Sequence, residues 1–514
     1  MQVIDMKAKT WNYKKAKERI DAAIQKLPLE MIQVKPYVRD DTDLRDLPLT
    51  VAYRVDGVHV YADILNLRDM LHVTEIEGEL CHRRTLRFLN LHYRAVHRII
   101  SRVEAIQVDF HNERLHAVVA KPYDDEAARV HRAVAMAQLI IDVLARTGED
   151  ADHPPAKVRV GIDTGKALAV NNGRRGHREP LFLGEPANRA AKRASGGTAT
   201  GIFLTNKARQ AIGLSKVSDE DNTPLTSEEI RTSQEKAKLG VTADEIVREW
   251  EEDLAKNPIG TFEFSRHTPP FSDLDIETLS PKNSRRQDAC SIYADLDGFT
   301  AYVTTNIEPE ESAKHVVRTL HVLRGELNCV LHDDFDGCKI RFIGDCIHGL
   351  AADGTAQTTA EQLTISNMTL CAGGLRSSFN LAIERLLKYG TDARSLGLAI
   401  GFEFGPMTVT RLGMRGDMVR CSVSRGVLNA EHEQSRCGGT ETAIGETAYA
   451  KATPAVRKLF GANRMVANLD FDSAVEALAA EGDEAAKAVR EEALKSVSLT
   501  TYVAPRPELR PHSQ

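Results

Sequence analysis

The sequence predicts an α+β protein built from two tandem copies of one domain. Three observations point there. The chain has 514 residues, and at about 150 residues per domain that length suggests roughly three domains, or two large mixed ones. Amphipathic helical stretches alternate with short β-branched runs in both halves. Most tellingly, the second half repeats the first. Tyr61-Ala62-Asp63-Ile64 returns as Tyr293-Ala294-Asp295-Leu296, 232 positions on. Asn112-Glu113 returns at the same offset as Gly344-Asp345. The segment from Val160 to Gly165 returns as Ile400 to Gly405, 240 positions on. Three matches in one order, two of them in register, indicate duplicated domains.

Composition narrows the class. A hydrophobic fraction of 42% with 27% charged residues is that of a globular protein and excludes a mainly disordered or fibrous chain. The formal net charge of −6 is not that of a nucleic-acid coat. No run approaches the ~18 apolar residues of a membrane helix. No apolar run follows the first charges, so no signal peptide is expected. The 8 cysteines form no C-x-x-C pair, which fits reduced thiols in a cytoplasmic protein rather than a zinc site or a disulfide framework.

In chain order, residues 1–45 are expected to be an N-terminal helical segment. Its helix runs over 11–27, with Ile20, Ile24 and Leu27 on one side. Pro28 and Pro36 prevent the helix from continuing beyond it. The first domain is placed at 46–266: a strand at 58–67, a helix at 82–101, a hairpin at 104–120, a helix at 125–146 and a strand at 157–163. Residues 217–256, rich in acidic and hydroxyl side chains, are expected to be a partly helical, solvent-facing insertion. Residues 261–266 read as a closing strand, and 267–286, with three prolines, as a linker. The second domain is placed at 287–514, with a solvated acidic helix at 470–490.

The chemistry concentrates on two acids of the second half. In SIYADLDGFT, residues 291–300, a strand ends in Asp295 and Gly298 opens a turn into a helix. In KIRFIGDCIHGL, residues 339–350, apolar residues flank Gly344-Asp345 as at a hairpin tip. Two aspartates converging from strand ends form a hard oxygen site suited to Mg²⁺ or Mn²⁺, with substrate phosphates completing the shell. The backbone N–H groups of the turn, over Gly298, Phe299 and Thr300, are placed to cradle a triphosphate. A purely structural reading is also open: Asp295 as a helix cap and Asp345 as a turn residue.

These two segments resemble the FADIxGFT-like and KxxGDxxxAV-like motifs of the class III nucleotidyl cyclases. The resemblance covers roughly residues 50–210 and 288–505 and is weaker in the first half. It implies two tandem class III cyclase-like domains of ferredoxin-like βαββαβ type, paired head to tail as a pseudo-heterodimer. In that family one domain gives two metal-binding Asp residues, and the other gives an Asn and a basic residue in a G-x-x-V-N-x-x-x-R pattern. Carried over, Asp295, Asp345 and the Leu296 carbonyl hold two Mn²⁺ (or Mg²⁺) ions. The first half reads Gly184-Glu185-Pro186-Ala187-Asn188-Arg189-Ala190-Ala191-Lys192-Arg193. Asn188 sits at the family's Asn position, and Lys192, with Arg193 beside it, at its Arg position. The second half has Ser424 and Leu428 there, while the first half has Glu113 for the second metal Asp. Each half thus lacks what the other supplies, giving one complete and one degenerate site. Arg411, Arg415 and Arg420 are candidates for the terminal phosphates or plain surface charges.

Purine cyclases of the family read adenine with a Lys four before the second metal position and an Asp seven before the Asn. Asp109 and Leu181 stand there instead. Tyr293, two residues before Asp295, lies on the same strand face and is a candidate to stack on or hydrogen-bond to a nucleotide. The chain thereby resembles the bacterial pyrimidine cyclases of Pycsar antiphage defence. That implies cyclization of a nucleoside triphosphate, UTP before CTP, to cyclic UMP and pyrophosphate. The product would be a second messenger for a separate cyclic-nucleotide-activated effector protein. A purine cyclase, a catalytically inactive nucleotide-binding regulator and a homodimer through another surface stay open. Gly161 to Ala167 only distantly resembles a phosphate loop. Arg174 to Arg178 read as an exposed hairpin tip, and the scattered His82, His92, His97, His111 and His116 form no metal spacing.

Overall fold

A strand with one buried face needs alternating apolar residues, and a helix laid on it needs a stripe at steps of three and four. The chain meets both requirements twice, and the computed structural model has two mixed sheets, each carrying helices. It describes residues 8–38, 44, 47–171 and 181–500, with no side chains described beyond 494. The run Arg174 to Arg178 lies outside the described residues.

The elements of the first half are α1 (Tyr13–Lys26), β1 (Gln33–Pro36), β2 (Val51–Ile64), α2 (Leu67–Leu71), α3 (Glu79–Arg102), β3 (Ile106–His111), β4 (Arg114–Val119), α4 (Glu126–Leu144), β5 (Val158–Val170), β6 (Leu181–Leu183), α5 (Glu185–Ser195), β7 (Gly201–Leu204), α6 (Asn206–Ala211), α7 (Ser227–Ala237), α8 (Ala243–Lys256) and β8 (Phe264–Ser265). The second half holds β9 (Ser284–Asp297), α9 (Phe299–Asn306), α10 (Glu310–Cys329), β10 (Cys338–Ile343), β11 (Cys346–Ala351), α11 (Glu361–Lys388), β12 (Gly397–Met414), β13 (Asp417–Val423), α12 (Arg425–Ser435), β14 (Glu441–Ile444), α13 (Glu446–Lys451), α14 (Pro454–Phe460), β15 (Met465–Ala467), α15 (Phe471–Ala480) and α16 (Glu484–Thr500). The first sheet has the order β3-β4-β2-β5-β6, with β1 on β2 and β7 on β5. The second has the order β10-β11-β9-β12-β14-β15, with β13 on β12 and β8 on β9. Thus β2 and β9, the β3–β4 and β10–β11 hairpins, and β5 and β12 hold corresponding places. The 232-position repeat is a repeat of topology.

The cores cross between halves. Leu168, Val170, Leu181 and Leu183, from β5 and β6, share one core with Val303 and Leu320 of α9 and α10. Leu412, Val419, Cys421 and Val423, from β12 and β13, share another with Tyr93 and Val96 of α3. Helix α1 is capped by Asn12, whose side chain accepts from the Lys15 N–H. It buries Ala16, Ile20 and Ile24 against α10 and α11. Each isoleucine contributes about 2 kcal/mol by leaving water. Arg19 fixes the orientation by pairing with Glu326 at 2.6 Å and Asp334 at 2.8 Å.

Several expectations change. The strand expected at 58–67 starts at Val51 and ends at Ile64. Residues 217–256 are not a solvent-facing appendage: α7 packs on α4 and α8 on α3. Ile246, Val247 and Trp250 form a buried stripe on α8, and the Trp250 indole donates to the Leu91 carbonyl. The charges mask this stripe because only one face of the helix is apolar. The closing strand shrinks to β8, which pairs in parallel with β9 of the second sheet. Residues 267–286 hold short 3₁₀ turns that bury Phe271, Leu274, Ile276 and Leu279. The acidic stretch at 470–490 buries Phe471, Ala474, Val475 and Leu478, with α15 laid on α11. Among the described residues no helix is long and apolar enough to cross a membrane.

Candidate active site

Two local features bring the acids together. Asp295 lies near the end of β9, which is flanked by β11 and β12 and pairs Asp295 with Ala399. The β10–β11 hairpin turns at Gly344, whose φ of 60° suits glycine, and Asp345 follows it. Asn112 occupies the matching tip of β3–β4 with φ 47°. Asp295, Leu296 and Asp345 then line one cavity of about 910 Å³ with Tyr293, Gly298, Phe299 and Thr300. From the first half, α5 brings Asn188 and Lys192 to the same cavity. The Asn188 amide donates to the Thr300 hydroxyl across the seam.

Helix α5 reaches this position because it lies unusually close to β5. A Cβ at Gly161 would sit 2.1 Å from the Ala190 carbonyl oxygen. Gly401 plays the same part under α12, where a Cβ would lie 2.0 Å from the Gln434 nitrogen. The repeated glycine is therefore a packing requirement.

The acid pair is not neutralised by the protein: the charge of Arg324 lowers Asp345 in part, and burial outweighs it. Burial, then the charges of Asp297 and Glu431, push Asp295 up to about 6. Burial and the charge of Asp295 raise Asp345 well above the usual carboxylate range. Two half-buried oxygen donors whose repulsion is only partly relieved suit a hard divalent cation. Among the described residues no three His, Cys, Asp or Glu side chains converge as a self-sufficient metal centre. A cation on this pair therefore needs oxygens from elsewhere, such as those of a triphosphate.

Arg193 does not join the cavity. It turns to the back of α5 and pairs with Glu220 at 3.3 Å and Asp221 at 3.1 Å. Neither do the loop arginines: Arg411 and Arg420 pair with Glu277, and Arg415 lies exposed in the turn between β12 and β13. Gly161 to Ala167 lie within the unbroken strand β5, not a phosphate loop.

Sequence reasoning missed several residues around this seam. Tyr293 is paired with His348, and the rings stack at 4.3 Å and 9°. Tyr61 and His116 do the same in the first half, at 4.0 Å and 14°. His116 and His348 differ by the same 232 positions as the acids, so the repeat carried the signal. Stacking occupies one face of Tyr293, while its buried hydroxyl has no hydrogen-bond partner among the described residues. Such a group is costly unless a ligand satisfies it. Asp109, at the position that reads adenine in the family, pairs across the seam with Arg341 at 3.1 Å. On the far side of the cavity lie Arg114 and Glu431.

Residues 52–235 match the adenylate and guanylate cyclase catalytic domain. A uridylate cyclase of Pseudomonas aeruginosa is 55% identical over 512 residues, covering 99% of this chain and 98% of that protein. A uridylate cyclase of Rhizobium sp. is 41% identical, covering 84% of this chain and 85% of that protein. A crystal structure from Pseudomonas aeruginosa, described as a class III adenylyl cyclase-like ATP-binding protein, superposes with a TM-score of 0.89 at 56% identity. It covers 92% of this chain and 100% of its own. With such identity over nearly the whole of a relative, the chain belongs to the class III nucleotidyl cyclase family.

Proposed function

We propose that the chain is a uridylate cyclase, converting UTP to 3′,5′-cyclic UMP and pyrophosphate at a single composite site. One observation carries the reading. The acid pair Asp295 and Asp345 of one half faces Asn188 and Lys192 of the other across a common cavity. The choice of UTP is supported by the two relatives named for that activity. In this reading residues 46–266 and 287–514 are two class III cyclase-like domains paired as a pseudo-heterodimer within one chain, and 267–286 join them.

The reaction is an in-line attack of the ribose 3′-oxygen on the α-phosphorus, breaking the bond to the β-phosphate and releasing pyrophosphate. Asp295, the Leu296 carbonyl and Asp345 would hold the divalent cations, Mn²⁺ or Mg²⁺ and two per site, which when bound offset phosphate charge and make the 3′-hydroxyl more acidic. Lys192 places a positive charge against the α-phosphate as charge grows there. Asn188, released from Thr300, orients the ribose. The free N–H groups at the start of α9, over Phe299 and Thr300, face the phosphates. The unpartnered Tyr293 hydroxyl meets the edge of the base. The resemblance to the Pycsar enzymes supports a second-messenger role in antiphage defence, in the cytoplasm, with an effector protein as reader of the product.

The test gives the purified chain ATP, GTP, CTP or UTP, with Mn²⁺ and then Mg²⁺, and identifies products by mass. Asp295→Ala is the control. Cyclic UMP that disappears in the variant is expected. Cyclic AMP would keep the site and overturn the pyrimidine assignment, a competing outcome because the solved relative is described as binding ATP. No product from any nucleotide would overturn the cyclase reading.

A further inference from the structure

The seam holds a second acid pair, related to the first by the repeat. Asp63 corresponds to Asp295 and Glu113 to Asp345 at the same offset of 232. Asp63 is 5% exposed. One oxygen of Asp63 and one of Glu113 are buried without a hydrogen-bond partner. The two pairs differ in the residue directly after the second acid: Arg114 in the first half and Cys346 in the second.

That difference is electrostatic. Arg114 is the direct cross-strand partner of Asp63, with Nε 3.6 Å from the carboxylate. Its Nη1 lies 3.2 Å from Glu431 of α12. Three carboxylates from both halves therefore surround one guanidinium. Ala191 stands on α5 at the position matching Glu431, and on that match Leu428 and His432, not Ser424 and Leu428, correspond to Asn188 and Lys192. Glu431 itself reaches the common cavity, where its charge also acts on Asp295. The neutral Cys346 thiol offers Asp295 and Asp345 no cation from the matching position, although the charge of Arg324 still lowers Asp345 in part.

The α12 side of the second seam is also closed. Arg425 donates to the carbonyls of Leu71, Thr74 and Glu75, and its own N–H bonds Glu77. Segment 71–77 is thereby fastened to the start of α12, opposite the place where α5 and α9 leave the catalytic cavity open.

We propose that Arg114 is a built-in cation standing in for a divalent ion at this second acid pair. The guanidinium keeps Asp63 and Glu113 from taking metal, and removing it leaves this pair of acids free to hold one divalent ion with water completing its shell. The inference takes Asp295 and Asp345 as the metal acids of the first site, and its test is built to be independent of that reading.

The experiment counts Mn²⁺ bound to the full chain, without nucleotide, from the free-ion electron paramagnetic resonance signal. It is run in the Asp295→Asn background, so ions at the first pair do not enter the difference. Adding Arg114→Ala is expected to give one more bound Mn²⁺ per chain, and Asp63→Asn on top of it to remove that ion. Arg114→Lys keeps the charge and should bind no extra ion. If Arg114→Ala lowers the melting temperature, Mn²⁺ should raise it again, and not when Asp63→Asn is also present. An Arg114→Ala protein with an unchanged Mn²⁺ count and no Mn²⁺-dependent melting temperature overturns the proposal. An Asp295→Asn protein that binds as much Mn²⁺ as wild type instead overturns only the assignment of the first pair.

Discussion

At the residue scale, the site is defined by groups the fold leaves unsatisfied. Asp295 ordinarily titrates near 3.8, and burial followed by neighbouring negative charge moves it to about 6. Without metal, the folded state holds this proton more tightly than the unfolded chain. That stabilising contribution is complete below about pH 4 and is lost as pH rises through about 6. Asp295→Asn should therefore melt progressively higher than wild type as pH rises from 4 to 8 in a chelator, and added Mn²⁺ should shrink the gap. A pH-independent difference would contradict this electrostatic account. Tyr293→Phe removes the unpartnered hydroxyl alone. It should lower kcat/KM for UTP about tenfold, the ~1.4 kcal/mol of one hydrogen bond, as read by steady-state kinetics. That Asp295, Asp345 and Asn188 meet at one cavity was legible in the sequence because each sits in a motif. The second role of Tyr293 was half legible: its strand face followed from spacing, but only coordinates reveal that His348 takes its ring and leaves its hydroxyl.

At the element scale, helix α5 must lie close enough to β5 to present Asn188 and Lys192. Gly161→Ala would place a methyl 2.1 Å from the Ala190 carbonyl. The helix must then move, at a cost of about 1–3 kcal/mol. Activity should fall further than the melting temperature suggests, because the helix carries half of the site; unchanged kcat in a folded Gly161→Ala protein would contradict this. Helix α1 is anchored by Arg19 between Glu326 and Asp334, which have 3% and 1% side-chain exposure. Arg19→Ala leaves buried Glu326 without a cation and Asp334 with Lys15 alone, and should cost about 3 kcal/mol in denaturant unfolding. Helices with periodic apolar faces, such as α1, α3 and α4, were legible from spacing. Helix α15 was legible as a helix, though its burial was not, and the buried stripe of α8 was hidden by its many charges. Strand β8 was misplaced because its two residues carry no signal for which sheet they join.

At the scale of the whole molecule, the two sheets hold their central strands and hairpins in corresponding places, and the cores cross between the halves. The repeat was visible as three short matches, and its meaning as shared strand order needed the sheets. The contact of Arg114 with Glu431 beside the second pair was not legible, since the two are 317 positions apart and meet only across the seam. The proposed composite site, with a single live acid pair, makes an asymmetric demand on the two halves. The most direct measurement is cyclic UMP formation from UTP and Mn²⁺ by wild type, Asp295→Asn, Asn188→Ala and Asp63→Asn, each checked for folding by its melting curve. The expected result is loss of product in Asp295→Asn, a fall of about 10²-fold in Asn188→Ala, and retained activity in Asp63→Asn. An active Asp295→Asn enzyme, or a folded Asp63→Asn enzyme without product, would contradict the assignment of the live site to Asp295 and Asp345.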